Sequence, residues 1–239
     1  MSIEVRNLVK KFDDRVVIND ISFKVADGEV LAIVGFSGSG KSTVLKLICG
    51  LIPFDNGEVI TSEGDIAMVF QYSALFDSLN VFDNISFALK ERKDLRKKYT
   101  DEEIKKTVLQ KLELVGLQGI ENKFPSELSG GMQKRVSFAR AIVTKPNTIL
   151  YDEPTAGLDP MSSTLIEDYI VSLKHEINAA SIVVTHQMST ITRTADRVIM
   201  LYDGKIVFEG TPTELLKQDN PYTKQFVTAS LEGPMQMKA

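Results

Sequence analysis

The sequence predicts an α/β fold with a mainly parallel core sheet, an N-terminal antiparallel β subdomain and an inserted helical subdomain. Short apolar strands alternate with helices along much of the chain, which is the pattern of a parallel sheet. Residues 2–25 alternate polar and apolar positions instead, as antiparallel strands with one solvated face do. A block at about 74–146 has no strong strand pattern, so we expect a helical insertion there.

The first elements are strands. "SIEVRNLVKKF" at 2–12 and "RVVINDISFKV" at 15–25 alternate, and both are predicted strands of the antiparallel sheet. The short apolar stretch "EVLAIVG" at 29–35 is typical of a strand buried on both faces. It runs into a glycine-rich loop and then a helix, "KSTVLKLICGL" at 41–51, which Pro53 closes.

The middle of the chain is mostly helical. Residues 57–70 return to strand, and residues 80–117 carry helical patterns. The charge run at 89–106 indicates a solvated helix face, with contact to anionic lipid as the alternative. A further helix begins within "LSGGMQKR" at 128–135 and continues through "VSFARAIVT" at 136–144.

The last third alternates strands with helices again. "TILYD" at 148–152 and "SIVVT" at 181–185 are predicted buried strands, and "SSTLIEDYIVSLKHEI" at 162–177 is the helix between them. "RVIMLYDGKIVFEG" at 197–210 predicts a hairpin whose turn is Asp203–Gly204.

Composition limits the class of protein. The 239 residues suit one domain with an insertion, and 43% hydrophobic with 25% charged residues is ordinary for a protein with a buried core. The net charge of −4 argues against a nucleic-acid partner held by general electrostatics. The single cysteine, Cys49, cannot build a disulfide framework. No apolar run approaches the roughly 18 residues of a membrane span, so we expect a soluble intracellular protein that works at a membrane only through a partner.

A phosphate-binding loop is the strongest motif. "GFSGSGKST" at 35–43 fits G-x-x-x-x-G-K-[ST], follows a buried strand and opens a helix. Gly38 and Gly40 let successive N–H groups turn toward phosphate oxygens, and the helix start favours an anion. Lys41 is predicted to reach the β- and γ-phosphates, and the Ser42 hydroxyl to ligate Mg²⁺.

The alternative for this loop is a plain glycine-rich turn, which leaves Lys41 and Ser42 unexplained. We therefore expect the whole loop to bind nucleotide, with Thr43 touching the α-phosphate. The other predicted binding residues of the loop are Gly35, Phe36, Ser37, Gly38, Ser39 and Gly40.

Two acids end the strand "TILYD". Because sheet-based sites lie at the carboxyl ends of strands, Asp152 is predicted to hold Mg²⁺ through water. Glu153 is then placed to orient and deprotonate an attacking water. The alternatives are two surface acids, or Asp152 as a helix cap.

Three further residues are weaker candidates on their own. His186 follows "SIVVT", where a neutral imidazole can bridge the γ-phosphate and the attacking water; the alternative is a structural histidine. Gln71 follows "DIAMVF" and is predicted to touch Mg²⁺ and the water, unless it is an ordinary loop residue. Phe12 either stacks on adenine or packs in the core. By contrast, His175 lies on a polar helix and is predicted to be solvated.

A second anion site is predicted at "LSGGMQKR". A serine hydroxyl and glycine amides at a helix start, here Ser129, Gly130 and Gly131, form an anion-binding arrangement. It lies far along the chain from the first phosphate loop.

These motifs resemble the nucleotide-binding subunits of ABC transporters. The resemblance covers nearly the whole chain and includes the phosphate loop, Gln71, "LSGGM", "ILYDEP", "AGLDP" with Asp159, and "VVTHQ". It implies a P-loop NTPase fold of the ABC-ATPase type, in which two copies stack head to tail and sandwich two ATP molecules with Mg²⁺. Ser129, Gly130 and Gly131 of one copy then cap the γ-phosphate held by the other copy, with Asp159 also at the nucleotide.

Departures from the family pattern are small. Met132 stands where many members have Gln, and Phe12 stands where many have Tyr. Neither change removes a charged or hydrolytic group, so we expect an active ATPase that forms ADP and phosphate. A soluble ABC ATPase acting on DNA or ribosomes and a non-hydrolysing nucleotide-binding module are the competing classes; Glu153 and His186 argue against the second.

Within that family, the chain is similar to the ATPases of MCE-type phospholipid transporters. "ALFDSLNVFDN", Met132 and the tail "PYTKQFVTASLEGP" carry this similarity. It implies phospholipid transport between membranes, with an importer of amino acids or another small polar solute as the alternative. The expected partners are a second copy, an integral permease docking near 72–89 and an MCE lipid-binding protein, at the cytoplasmic face of the inner membrane. We predict an ATP-binding domain at 1–222, with its helical subdomain at 74–146, and a C-terminal extension at 223–239.

Overall fold

The structure, a computed structural model, describes residues 2–62 and 64–236. Its centre is a six-stranded sheet in the order β5-β6-β7-β3-β8-β9, in which neighbouring strands are parallel except for the antiparallel pair β8 and β9. Strands β3, β6 and β7 are buried along their whole length, which explains their mostly apolar sequences. The bounds are β3 Val30–Val34, β5 Ile66–Val69, β6 Thr148–Asp152, β7 Ala180–Val184, β8 Arg197–Tyr202 and β9 Lys205–Gly210.

A separate three-stranded antiparallel sheet, in the order β2-β1-β4, covers the N-terminal side. It consists of β1 Ile3–Phe12, β2 Arg15–Val25 and β4 Asn56–Thr61. The sequence predicts a single return to strand over 57–70, but the structure contains two strands in two different sheets. β4 alternates exposed and partly buried residues and pairs with β1, whereas β5 pairs with β6 in the core sheet.

The predicted helical insertion is present. It contains α2 Val81–Glu91, α3 Lys93–Arg96, α4 Asp101–Leu114 and α5 Gly130–Ile142, with a short 3₁₀ helix at Pro125–Glu127. A capping box fixes the start of α4, because Thr100 Oγ1 accepts a bond from the Glu103 amide and Glu103 Oε2 accepts one from the Thr100 amide. Within the charge run, Leu95 and Ile104 are buried in the subdomain core. The helices of the run therefore have one solvated face and one apolar face.

Five helices flank the core sheet. α1 Lys41–Ile48 follows β3, α6 Pro160–Ile177 links β6 to β7, and α7 Met188–Thr194 follows β7. α8 Pro212–Lys217 and α9 Pro221–Val227 come after the predicted hairpin of β8 and β9, which forms as expected. No helix within the described residues is long and apolar enough to cross a membrane.

The boundary predicted between residues 222 and 223 falls inside α9. Beyond this helix, the chain turns back and buries Met235 among apolar residues of β3, β8 and α7. The side-chain amide of Gln225 holds this return, since its Nε2 donates to the Met235 carbonyl at 2.8 Å and its Oε1 accepts from the Met235 amide at 2.8 Å.

Candidate functional site

The phosphate loop lies between β3 and α1, at the carboxyl end of the core sheet. Gly38 and Gly40 have φ angles of 76° and 98°, in the left-handed region that favours glycine. A Cβ at Gly40 would lie 2.7 Å from the Ile18 side chain, and one at Gly35 would lie 2.3 Å from the Leu201 carbonyl oxygen. The backbone of this loop is therefore packed too closely against β2 and β8 to accept side chains at these two positions.

Lys41 is buried at the centre of the loop. Its ammonium donates to the carbonyl oxygens of Gly35 at 2.8 Å and Phe36 at 2.9 Å. Burial lowers the pKa of Lys41, while the nearby charges of Glu153 and Asp152 raise it. The site thus keeps a cation against a loop of main-chain groups, where an anionic ligand is the natural counter-charge.

Ser42 and Asp152 meet across the base of the site. The hydroxyl of Ser42, in the first turn of α1, donates to Asp152 Oδ1 at the end of β6 at 2.8 Å. Burial raises the pKa of Asp152, and the hydrogen bond from Ser42 opposes this increase. A hydroxyl and a carboxylate side by side are oxygen ligands of the kind Mg²⁺ takes beside a phosphate, so these residues fit the predicted ion.

Glu153 and His186 form the second polar pair. Neighbouring strands β6 and β7 end side by side, with Asp152 opposite Val184. Glu153 then adopts a left-handed φ of 48°, which costs a non-glycine residue about 1–3 kcal/mol. This turn brings Oε1 of Glu153 to 2.8 Å from Nδ1 of His186. The other oxygen, Oε2, is buried and has no hydrogen-bond partner among the described residues.

The remaining candidate residues are exposed. Phe12 ends β1 and is 45% exposed, which argues against core packing, and the Lys10 ammonium lies 5.2 Å from its ring centre. Gln71 is exposed just beyond β5, and His175 is exposed as predicted. Asp159 caps α6 by accepting bonds from the amide and hydroxyl of Ser162 at 3.0 and 2.6 Å.

The second predicted anion site, called the second cradle below, consists of Ser129, Gly130 and Gly131 at the start of α5. Ser129 is its N-cap and accepts a bond from the Met132 amide at 3.3 Å, while the space around Gly130 is open. In the described part of the chain, no hydrogen bond or ion pair joins Ser129, Gly130 or Gly131 to the phosphate loop of the same molecule. The two predicted anion sites are therefore not linked to each other within one copy.

Sequence reasoning missed two features beside the predicted site: the walls of a cavity and the position of Lys134. A cavity of about 550 Å³ beside the phosphate loop is lined by Arg15, by the turn at Asp203–Gly204 and by Gln236 from the tail, in addition to loop residues 36–39. Lys134, in the helix that "LSGGMQKR" opens, donates to the Ala156 carbonyl just after Glu153. Burial lowers the pKa of Lys134 and the charge of Glu153 raises it. No local pattern predicts that these residues lie beside the site, because their positions depend on contacts between distant segments.

Comparison with known proteins shows the family of this chain. A family model described as ABC transporter matches residues 18–156. The chloroplastic protein TRIGALACTOSYLDIACYLGLYCEROL 3 of Arabidopsis thaliana is 44% identical over 98% of this chain and 75% of its own length. The intermembrane phospholipid transport system ATP-binding protein MlaF of Haemophilus influenzae is 38% identical over 99% of this chain and 94% of its own.

A solved structure gives the same result for the fold. It is the dimeric post-hydrolysis state of an ATP-binding cassette bound to ADP and Pi, and it matches with a TM-score of 0.78 and 30% identity over 88% of this chain and 98% of that one. This similarity confirms the predicted fold class, including the separate antiparallel sheet and the helices.

Proposed function

This chain belongs to the ABC transporter family as one of its ATP-binding and ATP-hydrolysing subunits, and on that premise we propose that it powers phospholipid transport between membranes. The observation that carries the proposal is the near full-length similarity to MlaF, whose name specifies intermembrane phospholipid transport. A family match alone does not distinguish a lipid transporter from a small-solute importer, so the proposal depends on this individual relative, which is matched along 94% of its length.

The site residues divide the work of ATP hydrolysis. Lys41 and the loop amides bind the β- and γ-phosphates, and Phe12 stacks on the adenine. Ser42, Asp152 and Gln71 would hold Mg²⁺, which would supply positive charge at the phosphates when bound with ATP. The unpaired Oε2 of Glu153 accepts a proton from the attacking water.

His186 completes the site. When Glu153 is ionised, Nδ1 of His186 donates to it, so Nε2 carries the lone pair and is the atom that can face the water and the γ-phosphate. The imidazole is 62% exposed, so it lies at the open side of the site, where the nucleotide enters.

Two copies work together in this proposal. The cradle of Ser129, Gly130 and Gly131 has no link to its own phosphate loop, and a head-to-tail partner brings it over the γ-phosphate of the other copy. Asp159 approaches the same junction. The similarity to a cassette solved as a dimer supports this arrangement.

A membrane permease docks on the surface around residues 72–89. Here Phe76 and Phe87 are exposed with ring centres 4.8 Å apart, and Tyr72 is more exposed still. Leu75 and Phe82 instead pack against the subdomain core, so they support this surface rather than form it.

Asn84 preforms the docking surface from beneath. Its buried side chain accepts a bond from the Phe76 amide at 2.8 Å and donates to the Phe76 and Leu79 carbonyls at 3.1 and 2.9 Å. In this proposal the subunit lies peripherally on the cytoplasmic face of the inner membrane. In the same proposal, the complex includes an MCE lipid-binding protein, and the ATP-binding domain at 1–222 has an extension at 223–239 that packs back on its core through Met235.

The test is to isolate the native complex in mild detergent and to identify its subunits and bound lipid. Recovery of a permease with an MCE protein and phospholipid supports the proposal, whereas a permease with a soluble solute-binding protein overturns it in favour of a small-solute importer. Phe76→Ser is expected to lose the permease and still bind ATP. Phe54→Ser, at a similarly exposed phenylalanine that lies between α1 and β4, is the matched control and keeps the permease.

A further inference from the structure

A chain of polar side chains lies behind the Glu153–His186 pair. Thr155 Oγ1 is 2.8 Å from the side-chain amide of Gln187 and 3.0 Å from the hydroxyl of Thr190. The Thr190 hydroxyl is in turn 2.7 Å from Oε1 of Glu167, on α6. These four residues, Gln187, Thr155, Thr190 and Glu167, are called the polar chain below.

Most of the polar chain is removed from water. Thr155 and Thr190 are 0% exposed and Glu167 is 2% exposed. Buried hydroxyl and carboxyl groups are costly unless they are paired, so each link of the chain is needed by its neighbours. Arg193 lies at the far end, with Nε 3.8 Å from Oε2 of Glu167.

Each threonine hydroxyl has one proton to donate, and this limits the donor-to-acceptor direction of the hydrogen bonds along the polar chain. A carboxylate beside Arg193 can only accept, so Thr190 donates its single proton to Glu167. The structure orients Oε1 of Gln187 toward the Thr155 hydroxyl, which donates to it at 2.8 Å. If Thr155 instead gives its single proton to Thr190, the Gln187 side-chain amide has to be turned so that its NH₂ group faces Thr155. The two ends of an amide have the same shape, and the hydrogen-bond network decides between them. The polarity then runs from Gln187 through both threonines to the carboxylate.

The polar chain ties together the two loops that carry the hydrolytic pair. Thr155 follows Glu153 by two residues, and Gln187 follows His186 directly. The backbone N–H of Gln187 also donates to Thr185 Oγ1 at 3.1 Å, and this bond fixes the turn around His186. The imidazole itself is 62% exposed and has little packing to hold it.

We propose that Thr155, Thr190 and Glu167 are positioning residues that hold His186 against Glu153 for ATP hydrolysis. They touch neither nucleotide nor water, and they act through Gln187. This inference rests on the roles proposed for Glu153 and His186. Displacing the imidazole should slow the chemical step and leave nucleotide binding unchanged, because the phosphate loop is not part of the polar chain.

The experiment measures kcat, KM and ATP affinity for Thr155→Val and Thr190→Val, which keep the side-chain shape and remove the hydroxyl. Each is expected to lower kcat by about tenfold to a hundredfold, the range for a slightly misplaced group, with KM and ATP affinity within about twofold. Thr155→Ser and Thr190→Ser restore the hydroxyl and should recover most of the kcat. Glu167→Gln keeps an acceptor oxygen and should be milder than Glu167→Leu.

Thr194→Val is the matched control. Thr194 is also buried on α7, but its hydroxyl donates only to the Thr190 carbonyl at 2.7 Å, so its loss should leave kcat unchanged. The inference is overturned if folded Thr155→Val and Thr190→Val keep normal kcat, if the serine variants do not recover it, or if ATP affinity falls as much as kcat. Normal turnover in Glu153→Gln would instead remove the roles of the catalytic pair, so the two failures are distinguishable.

Discussion

The Nδ1 atom of His186 lies 2.8 Å from Oε1 of Glu153, although the residues are 33 positions apart. The sheet creates this contact, because β6 and β7 are parallel neighbours and end at the same level. The left-handed turn at Glu153 then directs one carboxylate oxygen to the imidazole and leaves the other unpaired. One oxygen contacts the histidine, and in the proposed mechanism the other takes the proton of the attacking water.

Glu153→Gln should therefore separate nucleotide binding from hydrolysis. The amide keeps the size of the side chain but cannot take a proton from water, so turnover should fall by about 10² or more. ATP affinity should stay near the wild-type value, because Lys41 and the phosphate loop are unchanged. Steady-state ATPase rates and equilibrium ATP binding check this, and near-normal turnover would contradict the assignment of Glu153 as general base.

Mixing two inactive variants tests whether the phosphate loop of one copy works with the second cradle of the other copy. Lys41→Ala disables the phosphate loop, and Ser129→Arg blocks the second cradle. A head-to-tail heterodimer keeps one site with Lys41 and Ser129 both intact, so the mixture should hydrolyse ATP faster than either variant alone.

A second mixture is the control for this experiment. Lys41 and Glu153 belong to the same chain's half of a site, so a Lys41→Ala and Glu153→Gln heterodimer has no intact site and should not recover activity. If the first mixture also shows no recovery, with heterodimers demonstrated by tagged subunits, the two-chain site is wrong.

Ser42→Ala tests the metal site. The substitution removes the hydroxyl that lies 2.8 Å from Asp152 and takes one oxygen ligand from Mg²⁺. The increase in ATP affinity on adding Mg²⁺ should shrink by roughly tenfold, equivalent to about 1.4 kcal/mol, while affinity for metal-free ATP should change little. Ser42→Thr keeps the hydroxyl and should retain most of the increase. An unchanged response to Mg²⁺ in Ser42→Ala would exclude Ser42 as a ligand.

The prominent motifs and element types could be predicted from sequence, because each depends on a local pattern. The glycine loop directly follows the apolar strand β3, and the two acids stand at the end of the apolar strand β6. Each strand pattern therefore helps to identify the site residues beside it. The division of 57–70 into β4 and β5 could not be predicted, since both segments have strand patterns and only their partners place them in different sheets.

The polar contacts behind the site were also beyond the sequence. Thr155 and Gln187 meet because β6 and β7 end together and both side chains take matching orientations. Asn84 similarly has four polar contacts that shape the turn before α2, yet its surroundings in the sequence suggest only a helix start. Such roles follow from side-chain conformation, which hydrophobic periodicity does not specify.

Asp152→Asn should stabilise the nucleotide-free protein at neutral pH. Burial raises the pKa of Asp152 above its ordinary value of 3.8, so between 3.8 and the raised value the folded state holds a proton that the unfolded state has released. The unfolding free energy therefore falls as pH rises through this window, and ionised Asp152 costs stability above it. Asparagine removes that cost and still accepts the Ser42 bond, so the melting temperature should rise.

The pH dependence of this gain is the critical measurement. It should disappear as the pH falls below 3.8, where Asp152 is protonated in both states. Asp159→Asn is a control of opposite sign, because hydrogen bonds from Ser162 lower the pKa of Asp159. Asp159 contributes stability above pH 3.8 that is lost as pH falls through its lower folded pKa, so its replacement should slightly destabilise at neutral pH. A lower melting temperature for Asp152→Asn at pH 7 would contradict the burial argument.

Met235→Ala tests whether the tail is part of the folded domain. Met235 is 2% exposed and packs against apolar residues of the core sheet, and Gln225 pairs with both of its main-chain groups. Truncating a buried methionine typically costs about 2–5 kcal/mol, partly through the cavity it leaves. Met161→Ala is the control, because that side chain is 84% exposed and its loss should change stability by about 0.5 kcal/mol or less.

Urea denaturation of the nucleotide-free protein compares the two variants. Equal unfolding free energies would mean that the tail does not pack on the core in solution. A large loss confined to Met235→Ala would show that residues beyond α9 stabilise the ATP-binding domain. The Gln236 amide donates to the Tyr202 hydroxyl at 3.0 Å, and both residues line the cavity beside the phosphate loop. Since the anchor at Met235 holds this wall in place, its loss should also weaken ATP binding, whereas Met161→Ala should leave the affinity for ATP unchanged in the monomer.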